Sequence, residues 1–121
     1  MLFFAGCSGS KSFSKKARKL QEAGLTNEAA DFYYQSLLRN PQNIDAKIGL
    51  KQTGGTIVTN KLNEYYKAHS LQAYGEAVYK YREAMDLKAL YSPFVDIEVP
   101  PYYEQYYNED LDVYLEQRYE K

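Results

Sequence analysis

Apolar positions recur along this chain at steps of three and four, the spacing of a single stripe on an α-helix. The clearest stripe is Ala29, Tyr33, Leu37 and Pro41. Gly24 precedes it and ends the element before, and Asn27 can cap the helix that follows. Pro41 closes that helix, because proline cannot continue the backbone ladder and pushes Asn40 out of helical geometry. The predicted helix runs from about Asn27 to Arg39, and Arg39 suits the negative end of the helix dipole. Ahead of it, Phe13, Ala17 and Leu20 form the stripe of a first helix, from about Ser12 to Ala23.

The same spacing returns 48 residues later. Ala77, Tyr81, Ala84 and Met85 stand where Ala29, Tyr33, Ser36 and Leu37 stand. They predict a helix from about Leu71 to Ala89. Between the copies, Ile44, Ile48, Lys51, Gly55, Val58, Leu62, Tyr65 and His69 keep alternating steps of three and four. Two readings fit this stretch. Either one helix runs from about Ile44 to His69, or Gly54-Gly55 divides it, since each glycine costs about 1 kcal/mol in a helix interior. The unbroken phase favours one helix, bent or thinned at the glycines. Pro41-Gln42-Asn43 forms the turn before it, with Asn43 or Asp45 near its cap.

Ser92-Pro93 stops the later helix. Val95, Ile97 and Val99 alternate as in a strand, but Pro100 and Pro101 exclude a central one, so the segment reads as an ordered, extended linker packed on helices. A final helix follows from about Tyr102 to Lys121, with Tyr103, Tyr107, Leu111, Tyr114 and Leu115 as its stripe. It has no Gly or Pro stop, which predicts that the chain continues into a longer array.

Gly24, an early Ala29, the aromatic Tyr33, the small Ser36 and the closing Pro41 together resemble the second helix of a tetratricopeptide (TPR) repeat. Ala77, Tyr81 and Ala84 resemble a second copy. Ser36 stands where Ala is usual, Lys51 where Gly is typical and Gly54 where an aromatic is typical, so the intervening half-repeat is degenerate. A standard unit has about 34 residues, so this one carries roughly 14 more, close to four helical turns. The resemblance covers roughly Lys11 to Ala89. It implies an all-α fold of stacked antiparallel helical hairpins, a TPR-like solenoid, with the Pro-containing linker and final helix after it. It also implies a concave binding surface lined by the first and third helices, where Arg18, Gln21 and Gln52 are the candidate partner contacts.

Composition adds little to the class. Hydrophobic residues make up 45% and charged residues 26% of 121 residues, as in an ordinary globular domain. The net charge of −1 argues against general nucleic-acid binding. Its distribution is lopsided, however. Lys11, Lys15, Lys16, Arg18 and Lys19 precede the first acid of the chain, Glu22, whereas the segment from Ser92 is acidic. Tyrosine is abundant, 14 residues against 5 phenylalanines and no tryptophan, as suits helix interfaces that keep one polar end wet.

The opening MLFFAGC places small residues before the single cysteine, Cys7. It resembles the end of a bacterial lipoprotein signal, although Phe4 fits the pattern less well and the apolar stretch is short. The resemblance implies lipid attachment at Cys7, a flexible tether over Ser8 to Ser12, and basic residues facing anionic headgroups. The chain thus divides into a signal remnant and tether (1–11), helical repeats (12–91), and linker plus final helix (92–121).

Catalytic sets are not apparent. His69 is the only histidine, Gly54-Gly55 lacks the Lys-Ser/Thr of a phosphate loop, and no metal-ligand spacing occurs. Glu109, Asp110 and Asp112 read as a solvated face, and His69 as a helix-end residue. The expectation is therefore a protein that is not an enzyme and needs no cofactor or metal. It would be a scaffold or protein-interaction module anchored by lipid in a bacterial envelope, at the outer membrane, working with other envelope proteins of a secretion, surface-assembly or motility complex. Without the lipid it would be a cytoplasmic adaptor. The alternative is a glycan-binding surface lipoprotein similar to the SusD type, suggested by the tyrosines.

Overall fold

The computed structural model describes the backbone of residues 2–119 and the side chains of residues 9–119. Five helices follow one another: α1 (Leu2–Glu22), α2 (Thr26–Arg39), α3 (Ile44–Ser70), α4 (Tyr74–Tyr91) and α5 (Tyr102–Tyr119). No strand occurs among the described residues, so the fold is all-α. Each helix packs on the next, and α1 also touches α3. The core is continuous, from Ala17 on α1 through Ala29, Tyr33 and Leu37 on α2 to Leu50, Val58 and Tyr65 on α3 and Ala77, Tyr81 and Ala84 on α4.

The central spine is α3, 27 residues and about 40 Å long. Gly54 and Gly55 do not break it. Two of its glycines are there because aromatic rings lie on them. A Cβ at Gly49 would fall inside the Tyr33 ring of α2. A Cβ at Gly54 would meet the Tyr91 ring at 3.0 Å and Ile97 at 3.1 Å. At Gly54 the ring of Tyr91, from α4, lies directly on the helix backbone. Tyr34 reaches the same ring from α2, with centroids 6.0 Å apart, and meets Phe94 edge-on.

The helix ends explain the turns. Gly24 has φ +82°, the left-handed conformation that costs glycine little. Its N–H donates to the Gln21 carbonyl, and the Leu25 N–H to that of Leu20. This is the Schellman arrangement, which satisfies carbonyls that the helix end leaves open. The same pair of bonds closes α3, from Gln72 to His69 and from Ala73 to Ala68, 48 residues on. There Gln72 occupies the left-handed position, at φ 56°. This turn is why α4 begins at Tyr74 and not at Leu71.

Several expectations need correction. Asn27 is not a cap: Leu25 holds the N-cap position of α2 with no side-chain bond. Asn43 does cap α3, accepting from the Ala46 N–H. Helix α1 begins ten residues earlier than Ser12, so the proposed tether is helical. Ser10 is fully buried, bonded through its hydroxyl to the Ser36 carbonyl and hydroxyl. Asn43 donates to both serine hydroxyls. Small polar residues here form the close α1–α2 contact and satisfy one another. Ser36 therefore replaces the usual Ala without an orphaned hydroxyl.

Beyond Ser92 the chain is extended, with Val95 and Ile97 buried against the helices. The Lys88 ammonium donates to the Ile97 carbonyl and holds the segment to α4. Helix α5 then packs on α4, where Tyr107 stacks on Tyr81 at 4.1 Å. Leu115, expected in the α5 stripe, is 40% exposed.

Two substitutions test this account. Gly49→Ala should destabilise the protein by about 1–3 kcal/mol, because the Tyr33 ring must leave its position. Gln72→Gly should stabilise it by about 0.5–1 kcal/mol, by relieving left-handed strain. Urea unfolding of each variant beside the wild type gives both signs.

Candidate functional site

The polar face shared by α1 and α3 carries the predicted contact residues. Arg18 and Gln21 are one turn apart on α1 and so share a side. The Gln21 amide donates to Gln52 of α3 at 3.0 Å. The Tyr33 hydroxyl, from below, donates to the Gln21 carbonyl oxygen at 2.6 Å. Gln21 is thus fixed from both sides, and Gln52 is tied to it. Burial raises the pKa of Tyr33, while the nearby Arg18 charge works the other way. All three predicted residues lie on this one face.

A cleft opens at each end of the relay. Near the start of α3, a cavity of about 290 Å³ is lined by Lys11, Lys15 and Arg18 against Asn40, Asn43 and Asp45. Three cations face one carboxylate there. Farther along α3, a second cavity of about 500 Å³ runs over Gln52, Gly55, Thr56 and Thr59 to Asp96 and Glu98 of the linker. Cations therefore dominate the first cleft, whereas the second carries Lys51 beside the two linker carboxylates. The second cleft falls within the size range of ligand-binding clefts. The repeat resemblance pointed to Arg18, Gln21 and Gln52 as groove residues, but the linker wall of the second cleft lies about forty residues from Thr56 in sequence and could not be read from it.

The repeat-pattern residues have structural places. Ala29, Tyr33, Ser36, Ala77, Tyr81 and Ala84 are buried, Gly24 forms its turn, and Pro41 stands just after α2. The side chain of Cys7, the predicted lipid-attachment site, lies outside the described residues.

The second cluster was missed. Asp110 does not sit on a solvated face; it is 2% exposed and is the one buried residue among those described on α5. Its carboxylate accepts from the Tyr65 hydroxyl at 2.5 Å and pairs with His69 Nδ1 at 2.8 Å. Tyr106 stacks on the His69 ring at 4.9 Å, and Tyr103 meets Tyr65 edge-on. Burial, and then the bond to Asp110, push the Tyr65 hydroxyl far above the ordinary tyrosine range. An acid inside a tyrosine-rich helix gives no periodic signal. The only clue was that Asp110 follows Tyr103 and Tyr107 at helical steps.

What this cluster can do chemically is limited. Asp110 orients the imidazole, as a base requires. Among the described residues, however, no serine, threonine or cysteine bonds to His69, and no group of three or more His, Cys, Asp or Glu is placed to hold a metal. The cluster's evident work is to fasten α5 to α3. Among the described residues, no helix is long and apolar enough to cross a membrane. Comparison with family models, curated proteins and solved structures finds no match.

Asp110→Ala should cost about 2–3 kcal/mol, since Tyr65 and His69 each lose a charged partner; thermal unfolding reads it. Alkaline pH provides a second test. Tyr33, Tyr65, Tyr81, Tyr91 and Tyr103 all have raised pKa values, chiefly through burial. Unfolded tyrosines release protons from about pH 10, where the folded ones still hold theirs. Stability should therefore be full below about pH 10 and fall as the pH rises above it. Unfolding midpoints followed from about pH 8 to pH 11 should show this, with a shallower fall in Tyr65→Phe.

Proposed function

We propose that the protein is a non-enzymatic interaction module whose partner lies across the α1–α3 face. The observation that carries this reading is the Tyr33–Gln21–Gln52 relay between two open clefts, one rich in cations and one of mixed charge. A polar face held in fixed geometry by the core beneath it is prepared for recognition with little ordering cost. The succession of packed hairpins, the contact of α1 with α3, and the repetition of the Schellman turn at the same offset support a TPR-like stack. With Cys7 read as a lipid anchor, the module would sit at a bacterial envelope membrane, at the outer membrane, beside other envelope proteins. The short basic run on α1 would then lie near the headgroups.

A second reading, a glycan-binding lipoprotein, draws on one observation. Tyr66 and Tyr102 stay about half exposed at the edge where Tyr106 stacks on His69. Most other tyrosines are engaged in the helix interfaces.

A photocrosslinking residue at exposed position 48, one turn before Gln52, should trap a discrete partner in native membranes, and Arg18→Glu with Gln21→Ala should abolish the product. No product from the wild-type face would defeat the module reading. Intact mass spectrometry should find a diacyl or triacyl addition that Cys7→Ser removes. Calorimetry with oligosaccharides should give no heat; heat lost in Tyr66→Ala would favour the glycan reading instead.

A further inference from the structure

Three glycines lie inside α3, and packing accounts for two of them. Tyr33 lies on Gly49, and Tyr91 with Ile97 on Gly54. Gly55 has no such neighbour: nothing lies within 4 Å of where its Cβ would be. Its helix is regular, so no unusual backbone angle calls for glycine there either. A glycine weakens a helix interior wherever packing or turn geometry does not require it. The missing side chain leaves a notch of bare helix backbone, and that notch opens into the 500 Å³ cleft between α3 and the linker.

The notch is set among hydrogen-bonding side chains. Thr59 and Asn60 line the cleft with no side-chain bond among the described residues. Gln52 uses its carbonyl oxygen on Gln21, which leaves its amide hydrogens to the cleft. Hydroxyls and amides that both donate and accept match the alternating N–H and C=O groups of a peptide backbone. The lining carries both signs: Lys51 on α3, in no ion pair among the described residues, and Asp96 with Glu98 on the linker. Asp96 is 80% exposed and meets only the Lys88 ammonium, at 3.4 Å.

We propose that this cleft docks an extended peptide segment of the partner. Its backbone crosses Gly55 in close contact, an acidic side chain reaches Lys51, and a basic one reaches Asp96 and Glu98. The inference rests on the interaction-module reading and names where along the face the partner segment lies. A side chain at position 55 would lift the peptide off the helix, so the position is specific to binding and not to folding.

The test uses the whole chain, labelled with 15N, and two blocked peptides: acetyl-Glu-Ser-Gly-Ser-Lys-amide and its uncharged counterpart with Gln at both ends. The charged peptide should shift the amide signals of Gly55, Thr56, Thr59 and Asn60 saturably, at millimolar concentration, and the uncharged one more weakly. Gly55→Leu should weaken binding by about tenfold or more, and Gly55→Ala by less. Both variants should melt at or above the wild-type temperature, because the new side chain meets open space and improves helix propensity. Undiminished binding in Gly55→Leu, or no saturable shift at the cleft in the wild type, would overturn the inference. Shifts confined to the surroundings of Arg18 would also overturn it while leaving the module reading intact. That reading fails separately, if the position 48 crosslink traps nothing.

Discussion

Everything in this fold depends on how closely other elements can approach α3. A helix bristling with side chains keeps its neighbours about 8–10 Å away from its axis. Gly49 and Gly54 remove that barrier at two points, and a tyrosine ring enters at each, Tyr33 from α2 and Tyr91 from α4. The rings fix the depth of both neighbouring helices at once. Because Tyr34 also touches Tyr91, the two insertions are mechanically joined, and the linker follows, since Ile97 shares the Gly54 site with Tyr91. The candidate face inherits this order. The Tyr33 ring that lies on Gly49 carries the hydroxyl that orients Gln21, so the geometry of a surface amide is set by a buried glycine.

The two halves of the chain solve the same problem with different residues. The turns after α1 and α3 have the same bonds and the same left-handed residue, 48 positions apart, but glycine fills one and glutamine the other. The helix following each turn begins without a side-chain cap, at Leu25 and at Ala73. The backbone bonds of the turn satisfy carbonyls at the end of the helix before it, and the first N–H groups of the helix after it receive no side-chain acceptor.

Much of the architecture was legible from periodicity. The stripes marked five helices and the prolines the linker, and α3 is a single helix, but its first half turns another face inward than the stripe read there: Ile44 and Ile48 are exposed, while Ala46, Gly49, Leu50 and Thr53 are buried. What else escaped was polar and buried. Ser10 and Asp110 count as surface residues in any hydrophobic pattern, yet both sit in the interior because partners distant in sequence satisfy them, Ser36 and Asn43 for one, Tyr65 and His69 for the other. Such partners are visible only after the chain has folded. For the same reason Arg18, Gln21 and Gln52 could be assigned to a face, whereas the linker carboxylates opposite Thr56 could not. The glycine at position 54 reflects packing specific to this chain, since the Tyr91 ring and Ile97 lie on it.

The way α5 is attached has a bearing on how the molecule comes apart. Every other helix is woven into the shared apolar core, while α5 contributes one buried residue, and that residue is an acid. Its hold is a polar knot surrounded by stacked tyrosine rings, strong in direction but small in area. Local opening free energies rise with buried apolar contact, so they should be lowest here. The fifth helix is then the member with the least buried apolar hold on the rest. Amide exchange would release α5 as one unit well before the rest, and during folding it would be the last helix to settle.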